Sequence, residues 1–152
     1  MENKKGYKVF KFESDVRWTQ ARECTISAPG KPELAVSSPP EFKGTPGLWS
    51  PEDMFVASIN VCTLMTFLAY SHHKNLLLVG YECSVEGAME YSNGKYRFTE
   101  ITLHPRLTLK SQEDAERARE ILLDAHNNCL ISNSILAQVK IIPDFQVASS
   151  ST

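Results

Sequence analysis

Over the first fifty residues, apolar and polar side chains alternate in short runs and show no helical period. Tyr7 and Val9 fall on one side of residues 7–12, and Lys8, Phe10 and Phe12 on the other; residues 18–27 continue in the same extended style, so two strands are expected. Ala28-Pro29-Gly30-Lys31 is a turn signal, because proline presets φ and glycine accepts φ > 0, and residues 33–37 would return as a third strand. Pro39, Pro40, Gly44, Pro46 and Gly47 then predict a long loop over 38–49. At Met54 the pattern changes: as far as Tyr70 nearly every side chain is apolar or small. Ser50-Pro51-Glu52-Asp53 in front of it supplies a cap, a proline at the first helical position and acids for the positive end of the dipole. A helix over 51–71 follows, covered on most of its circumference and central to the fold. Its apolar stretch, broken by Ser58, Asn60, Thr63 and Thr66, falls short of the ~20 residues a membrane span needs.

Residues 76–91 and 95–109 read as two strands joined by Ser92-Asn93-Gly94, a sequence suited to a tight primed turn. Ser111-Gln112-Glu113-Asp114 starts a second helix, with Ala115, Ala118, Ile121, Leu122 and Ala125 at helical spacing, ending near Asn127-Asn128. A turn over 132–136 leads to a last strand at Val139, Ile141 and Ile142, and residues 149–152 are expected to be a disordered tail. The order of elements predicts an α+β fold with an antiparallel sheet.

Composition narrows the class. At 152 residues, 42% hydrophobic and 22% charged, the chain suits one globular domain, expected over residues 1–148. A formal charge of −2 offers no field for a phosphate backbone, which argues against nucleic acid as a partner. The basic N-terminus has no apolar stretch behind it, so no export signal is read and a cytoplasmic location is expected. Four cysteines in that setting suggest free thiols, and a retained pair there is more often catalytic than structural.

Cys62 sits in the middle of the apolar helix and Cys129 at the C-terminal edge of the second. With no Cys-x-x-Cys pair, neither a zinc site nor a thioredoxin-type motif is supported, and no metal or cofactor is expected. From residue type alone each cysteine can be a small buried hydrophobe. His126, three residues before Cys129, could pair with it on one helix face as ligand or base; His72 and His73 read as a solvated connection, and Cys24 and Cys83 as packing residues.

The segment Ser50-Pro-Glu52-Asp-Met-Phe-Val-Ala-Ser-Ile-Asn-Val-Cys62, preceded by Pro40-Glu41-Phe42-Lys-Gly44 and followed by Ala125-His-Asn-Asn-Cys129-Leu-Ile-Ser132-Asn133-Ser134, resembles the OsmC/Ohr family, which includes the organic hydroperoxide resistance proteins. The resemblance runs from about Trp18 to Ile142. It implies an OsmC-like intertwined homodimer with the active site at the subunit interface. It also implies a peroxidase that reduces organic, lipid-derived hydroperoxides and is recharged by a dithiol reductant such as a dihydrolipoyl protein. Carried over by position, Cys62 matches the peroxidatic thiol, Cys129 the resolving one, Glu52 the acid near the site and Arg22, with Arg17 as the alternative, its arginine. Leu130 departs from the pattern, standing where many relatives carry proline. The alternative on the same fold is a redox-sensing or ligand-binding protein without catalysis.

Physical chemistry constrains this picture. A thiol buried in an apolar helix has a raised pKa, so a reactive Cys62 needs a cation, and arginine stays charged when desolvated. Ten helical residues rise ~15 Å, so Glu52 cannot touch Cys62 within one straight helix; if both serve one site, two subunits contribute.

Overall fold

A computed structural model of the chain describes residues 6–150, which form two compact units, one reaching Asp53 and the other starting at Met54. The division falls in the first turn of the long helix.

The first unit holds an antiparallel sheet in the order β1 (Asp15–Gln20), β2 (Glu23–Ser27), β3 (Leu34–Ser37). The expected strand over 7–12 does not form. That alternating segment finds no pairing partner among the described residues, and its Tyr7, Val9, Phe10 and Phe12 stand exposed. The second expected strand is in fact a hairpin, reversing at Ala21-Arg22, where Ala21 takes φ 43° and its carbonyl accepts the Trp18 indole N–H at 3.0 Å. The loop over 38–49 forms as expected, with one 3-10 turn at Pro40–Phe42, and it folds back so that Trp49 bridges to Val36. Gly44 is required in that loop, because a Cβ there would overlap the Ser38 carbonyl.

Helix α1 runs from Pro51 to His73. Its start is a reciprocal box: the Asp53 N–H donates to Ser50 Oγ at 3.1 Å, and the Ser50 N–H donates to Asp53 Oδ2 at 3.0 Å. At its end Asn75 turns left-handed (φ 52°) and the Leu76 N–H reaches back to the Ser71 carbonyl at 2.8 Å.

In the second unit β4 (Gly80–Ser92) and β5 (Lys95–Leu109) form the long hairpin. Asn93 (φ 51°) and Gly94 (φ 78°) supply the two positive φ angles of its turn. The sheet is mixed, not antiparallel throughout. After α2 (Gln112–Asn127), β6 (Gln138–Ile141) and an unexpected β7 (Asp144–Val147) both lie parallel to β5, a return that needs the α2 crossover. Pro143, which has no N–H to donate, separates the two pieces of what would otherwise be one edge strand.

Two apolar clusters fill this unit. One gathers Phe67, Leu76, Leu107, Leu109, Ala118, Ile121 and Leu122; the other is built on Ile59, Ile101 and Leu103, with Phe55, Val85, Phe98 and Ile131 packed against them. By length and composition alone α1 could cross a membrane, but Ile59 and Phe67 anchor it in these clusters. The expected covering of most of its circumference is not found within one chain. Only the stripe Ile59, Thr63, Phe67 and Ser71 is buried, leaving Val61, Met65 and Leu68 exposed, because one sheet and one helix cover one side of a cylinder.

Candidate active site around Cys62 and Cys129

Cys62 and Cys129, 67 positions apart in the chain, meet side chain to side chain in the second unit. Cys62 sits on α1 next to the buried stripe and is partly exposed, whereas Cys129 is fully buried. Both thiols are free. Helix α2 stops at Asn127, two residues short of Cys129, so the cysteine lies beyond the helix and not on its last turn. Asn128 closes the helix, its N–H and side-chain amide both donating to the Asp124 carbonyl. The chain then folds into a 3-10 turn at Ser132–Ser134, and the Asn133 N–H donates to the Cys129 carbonyl at 3.0 Å. That turn sets Ile131 and Ser132 beside the sulfurs.

The two thiols are electrostatically unequal. Burial pushes the Cys62 thiol up, and its hydrogen bond to Cys129 and the charge there push it further; the Ile131 N–H and the Thr66 hydroxyl oppose without prevailing. At Cys129 burial is again the largest single influence and raises the pKa. The Ser132 hydroxyl and N–H, the Cys62 thiol and the Thr63 hydroxyl all favour the thiolate, and together they bring the pKa below its ordinary value. Thr63 Oγ1 lies 3.8 Å from Cys129 Sγ and also donates to the Ile59 carbonyl at 2.9 Å. The Ser132 hydroxyl is buried and makes no hydrogen bond. A cation-lowered Cys62 was expected; within the single chain the thiol with the lowered pKa is Cys129, and hydroxyls and a backbone N–H lower it.

Arg22 and Glu52 belong to the first unit. Arg22 is exposed in the β1–β2 turn, and its carbonyl accepts from the Ser38 N–H. Arg17 is exposed on β1, 3.9 Å from Glu33. Glu52 lies in the first turn of α1, where the dipole favours an acid, yet its Oε2 is buried without a hydrogen-bond partner. That orphaned oxygen sets Glu52 apart from Asp53, which completes the capping box.

His126 is half-buried, its Nδ1 is unpartnered and burial lowers its pKa, so its neutral form is favoured. Cys24 pairs across the sheet with Val36, and Cys83 packs in the Ile59 cluster, its thiol pushed up by burial. Among the described residues no group of three or more His, Cys, Asp or Glu is placed to hold a metal. Sequence reasoning did not single out Thr63 and Ser132, which lie beside Cys129. Ser132 stood inside the Cys129 motif and Thr63 beside Cys62, but a hydroxyl next to a cysteine carries no signal until the fold shows which sulfur it faces.

The model of the OsmC-like protein family matches residues 44–144. Among solved structures, the chain is similar to an OsmC-like protein of unknown function from Vibrio cholerae, with 22% identity, a TM-score of 0.81 and coverage of 89% of this chain and 99% of that one. An organic hydroperoxide resistance protein OsmC from Legionella pneumophila matches with 19% identity and a TM-score of 0.73, over 93% of this chain and 100% of that one. An organic hydroperoxide resistance protein from Elizabethkingia anophelis matches with 17% identity and a TM-score of 0.71, over 93% and 99%. No curated protein matches the sequence. At these identities the structural likeness establishes the fold.

Proposed function

The chain belongs to the OsmC-like protein family, and from that premise we propose that it is a thiol-dependent peroxidase reducing organic, lipid-derived hydroperoxides to alcohols. The observation that carries the reading is the meeting of a partly exposed Cys62 with a buried Cys129: one thiol that a peroxide can reach and a second in contact to resolve it. Thiolate attack by Cys62 on the distal peroxide oxygen forms Cys62–S–OH and releases an alkoxide that takes up a proton. Cys129 then displaces hydroxide from the sulfenic acid to give the disulfide, which prevents further oxidation. A dithiol, such as a dihydrolipoyl protein, returns both thiols by exchange.

The active form in this reading is a homodimer. The exposed apolar side chains of α1, Val61, Met65 and Leu68, support it, since a helix of this composition needs a second covering. Arg22 and Glu52 are assigned as the charged pair that completes the site on dimerisation, with the Glu52 oxygen supplying the acceptor that an arginine would satisfy. The apolar surroundings of Cys62 favour an alkyl peroxide over hydrogen peroxide, and four free thiols suit a reducing cytoplasm.

The raised pKa of Cys62 in the single chain is the observation that favours the second reading, a redox sensor or ligand-binding protein on the same fold. A peroxidase assay with dihydrolipoamide as reductant separates the two. Turnover of cumene hydroperoxide faster than hydrogen peroxide, abolished by Cys62→Ser and strongly reduced by Arg22→Ala, supports the enzyme. Absence of turnover with every hydroperoxide and dithiol tried leaves the sensor.

A further inference from the structure

Between Tyr7 and Trp18 the chain presents an apolar surface that no described residue covers. Its six large apolar side chains, Tyr7, Val9, Phe10, Phe12, Val16 and Trp18, are all at least 68% exposed. Single exposed apolar residues need no explanation, but six within twelve consecutive positions make a patch of the kind that marks an interaction site. Residues 6–14 form neither helix nor strand, so the backbone of that stretch is not committed to a sheet.

Charge is concentrated at the same end. Residues 1–12 hold Lys4, Lys5, Lys8 and Lys11 against Glu2, a net +3 in a chain of net −2, so the other 140 residues carry −5. Among the described residues neither Lys8 nor Lys11 has an ion-pair partner. The Lys8 ammonium instead stands 5.0 Å from the centre of the Phe10 ring, so one cation and one ring are presented together.

We propose that residues 7–18, with the lysines among and before them, dock the protein on an anionic phospholipid surface. The rings and valines would enter the boundary between headgroups and acyl chains, while Lys8 and Lys11 meet lipid phosphate and carboxylate and Lys4 and Lys5 add to the attraction. The distribution of side chains favours this occupant. Tyr7 and Val9 alternate with Lys8, Phe10 and Phe12, which gives apolar groups to both sides of the segment. A rigid protein surface covers one side, whereas a fluid boundary takes up both. Nucleic acid bases would stack on the rings but offer nothing to Val9 and Val16, which an acyl boundary accepts. The acidic remainder of the chain is repelled by an anionic surface, so contact is confined to this end.

Docking itself does not depend on the peroxidase reading, but its use rests on it. A lipid hydroperoxide is held in the bilayer, and a protein bound at the interface meets that substrate at a far higher local concentration than one free in solution.

The test is flotation of the full chain with vesicles of phosphatidylcholine alone or of equal parts phosphatidylcholine and phosphatidylserine, with no peroxide present. Binding is expected to the mixed vesicles, weakly or not at all to phosphatidylcholine, and to fall as salt is raised. Lys8→Ala with Lys11→Ala lowers the affinity about 25-fold, at roughly fivefold for each lysine. Phe10→Ser with Phe12→Ser lowers it by roughly tenfold for each ring. Both double variants keep the urea midpoint of the parent, because the substituted side chains are exposed. No binding to the mixed vesicles, equal binding to both compositions, or affinity unchanged in either double variant overturns the proposal. So does a smaller assembly in sedimentation of the Phe10→Ser, Phe12→Ser protein, which would place the segment against a second copy, or tighter binding to a single-stranded oligonucleotide than to the vesicles. Failure of the peroxidase reading shows separately, as a protein that binds mixed vesicles and does not turn over cumene hydroperoxide.

Discussion

Phe67 is fully buried at the centre of the larger cluster, its ring 6.3 Å from that of Tyr81 and surrounded by side chains from α1, β5 and α2. Phe67→Ala removes that ring from a cluster in which Ala115, Ala118 and Ala125 are too short to refill the space. Truncations of this kind cost ~3–5 kcal/mol, and the poor prospect of refilling puts this one near ~4–5 kcal/mol. Against a total of ~5–15 kcal/mol that is a large share, and at ~2–4 °C per kcal/mol for a chain of this size it lowers Tm by roughly 8–20 °C. Phe67→Leu keeps most of the volume and costs ~1–1.5 kcal/mol. Leu123→Ala on the exposed face of α2 stays within ~0.5 kcal/mol. The assay is urea unfolding followed by circular dichroism, at one fixed protein concentration so that association contributes equally to every variant. A midpoint shift for Phe67→Ala no larger than that of Leu123→Ala would refute the placement of the core and, with it, the anchoring of the helix that carries Cys62.

Further outcomes follow from single residues. Ser50→Ala removes both the acceptor for the Asp53 N–H and the hydroxyl donor to Asp53 Oδ2, and thermal unfolding should show a loss of ~1 kcal/mol. At Gly87 a new Cβ would stand 2.7 Å from Val56 Cγ1 and 2.9 Å from Phe98 Cε1; Gly87→Val is expected to destabilise by ~1–3 kcal/mol or more, read as a lower urea midpoint. Burial holds the His126 pKa below its ordinary 6.5, so the unfolded chain takes up the proton first as pH falls. Stability from this residue is therefore complete above pH 6.5 and declines as the pH drops toward the folded-state value; His126→Gln should flatten that part of the stability-pH profile.

What could be read from the sequence divides along physical lines. The Asn93-Gly94 turn, the Ser50 box and the Ser111 cap were legible because each depends on residues within four positions of one another. The segment 7–12 has strand alternation, but alternation states only that a strand could form; pairing needs a neighbour, and none is present among the described residues. The parallel placement of β6 and β7 on β5 was missed for the same reason, since register across more than thirty residues leaves no local mark. An all-round apolar pattern on α1 states how much surface must be covered, not whether the same chain covers it. At the site the family motif singled out Cys62 and Cys129, which the fold brings into contact. The neighbours that weigh on the two thiols, Thr63, Ile131 and Ser132, come from α1 and from the segment around a 3-10 turn, a meeting that leaves no local mark in the sequence.

The peroxidase reading requires these two thiols to react as a pair. The most direct measurement exposes fully reduced protein to stoichiometric cumene hydroperoxide and maps the cysteine-containing peptides by mass spectrometry, with Cys62→Ser as control. The expected result is rapid loss of two hydrogens, mapped to a Cys62–Cys129 link and absent from the control. Four thiols still reduced after exposure, or a link that excludes Cys62, would contradict it.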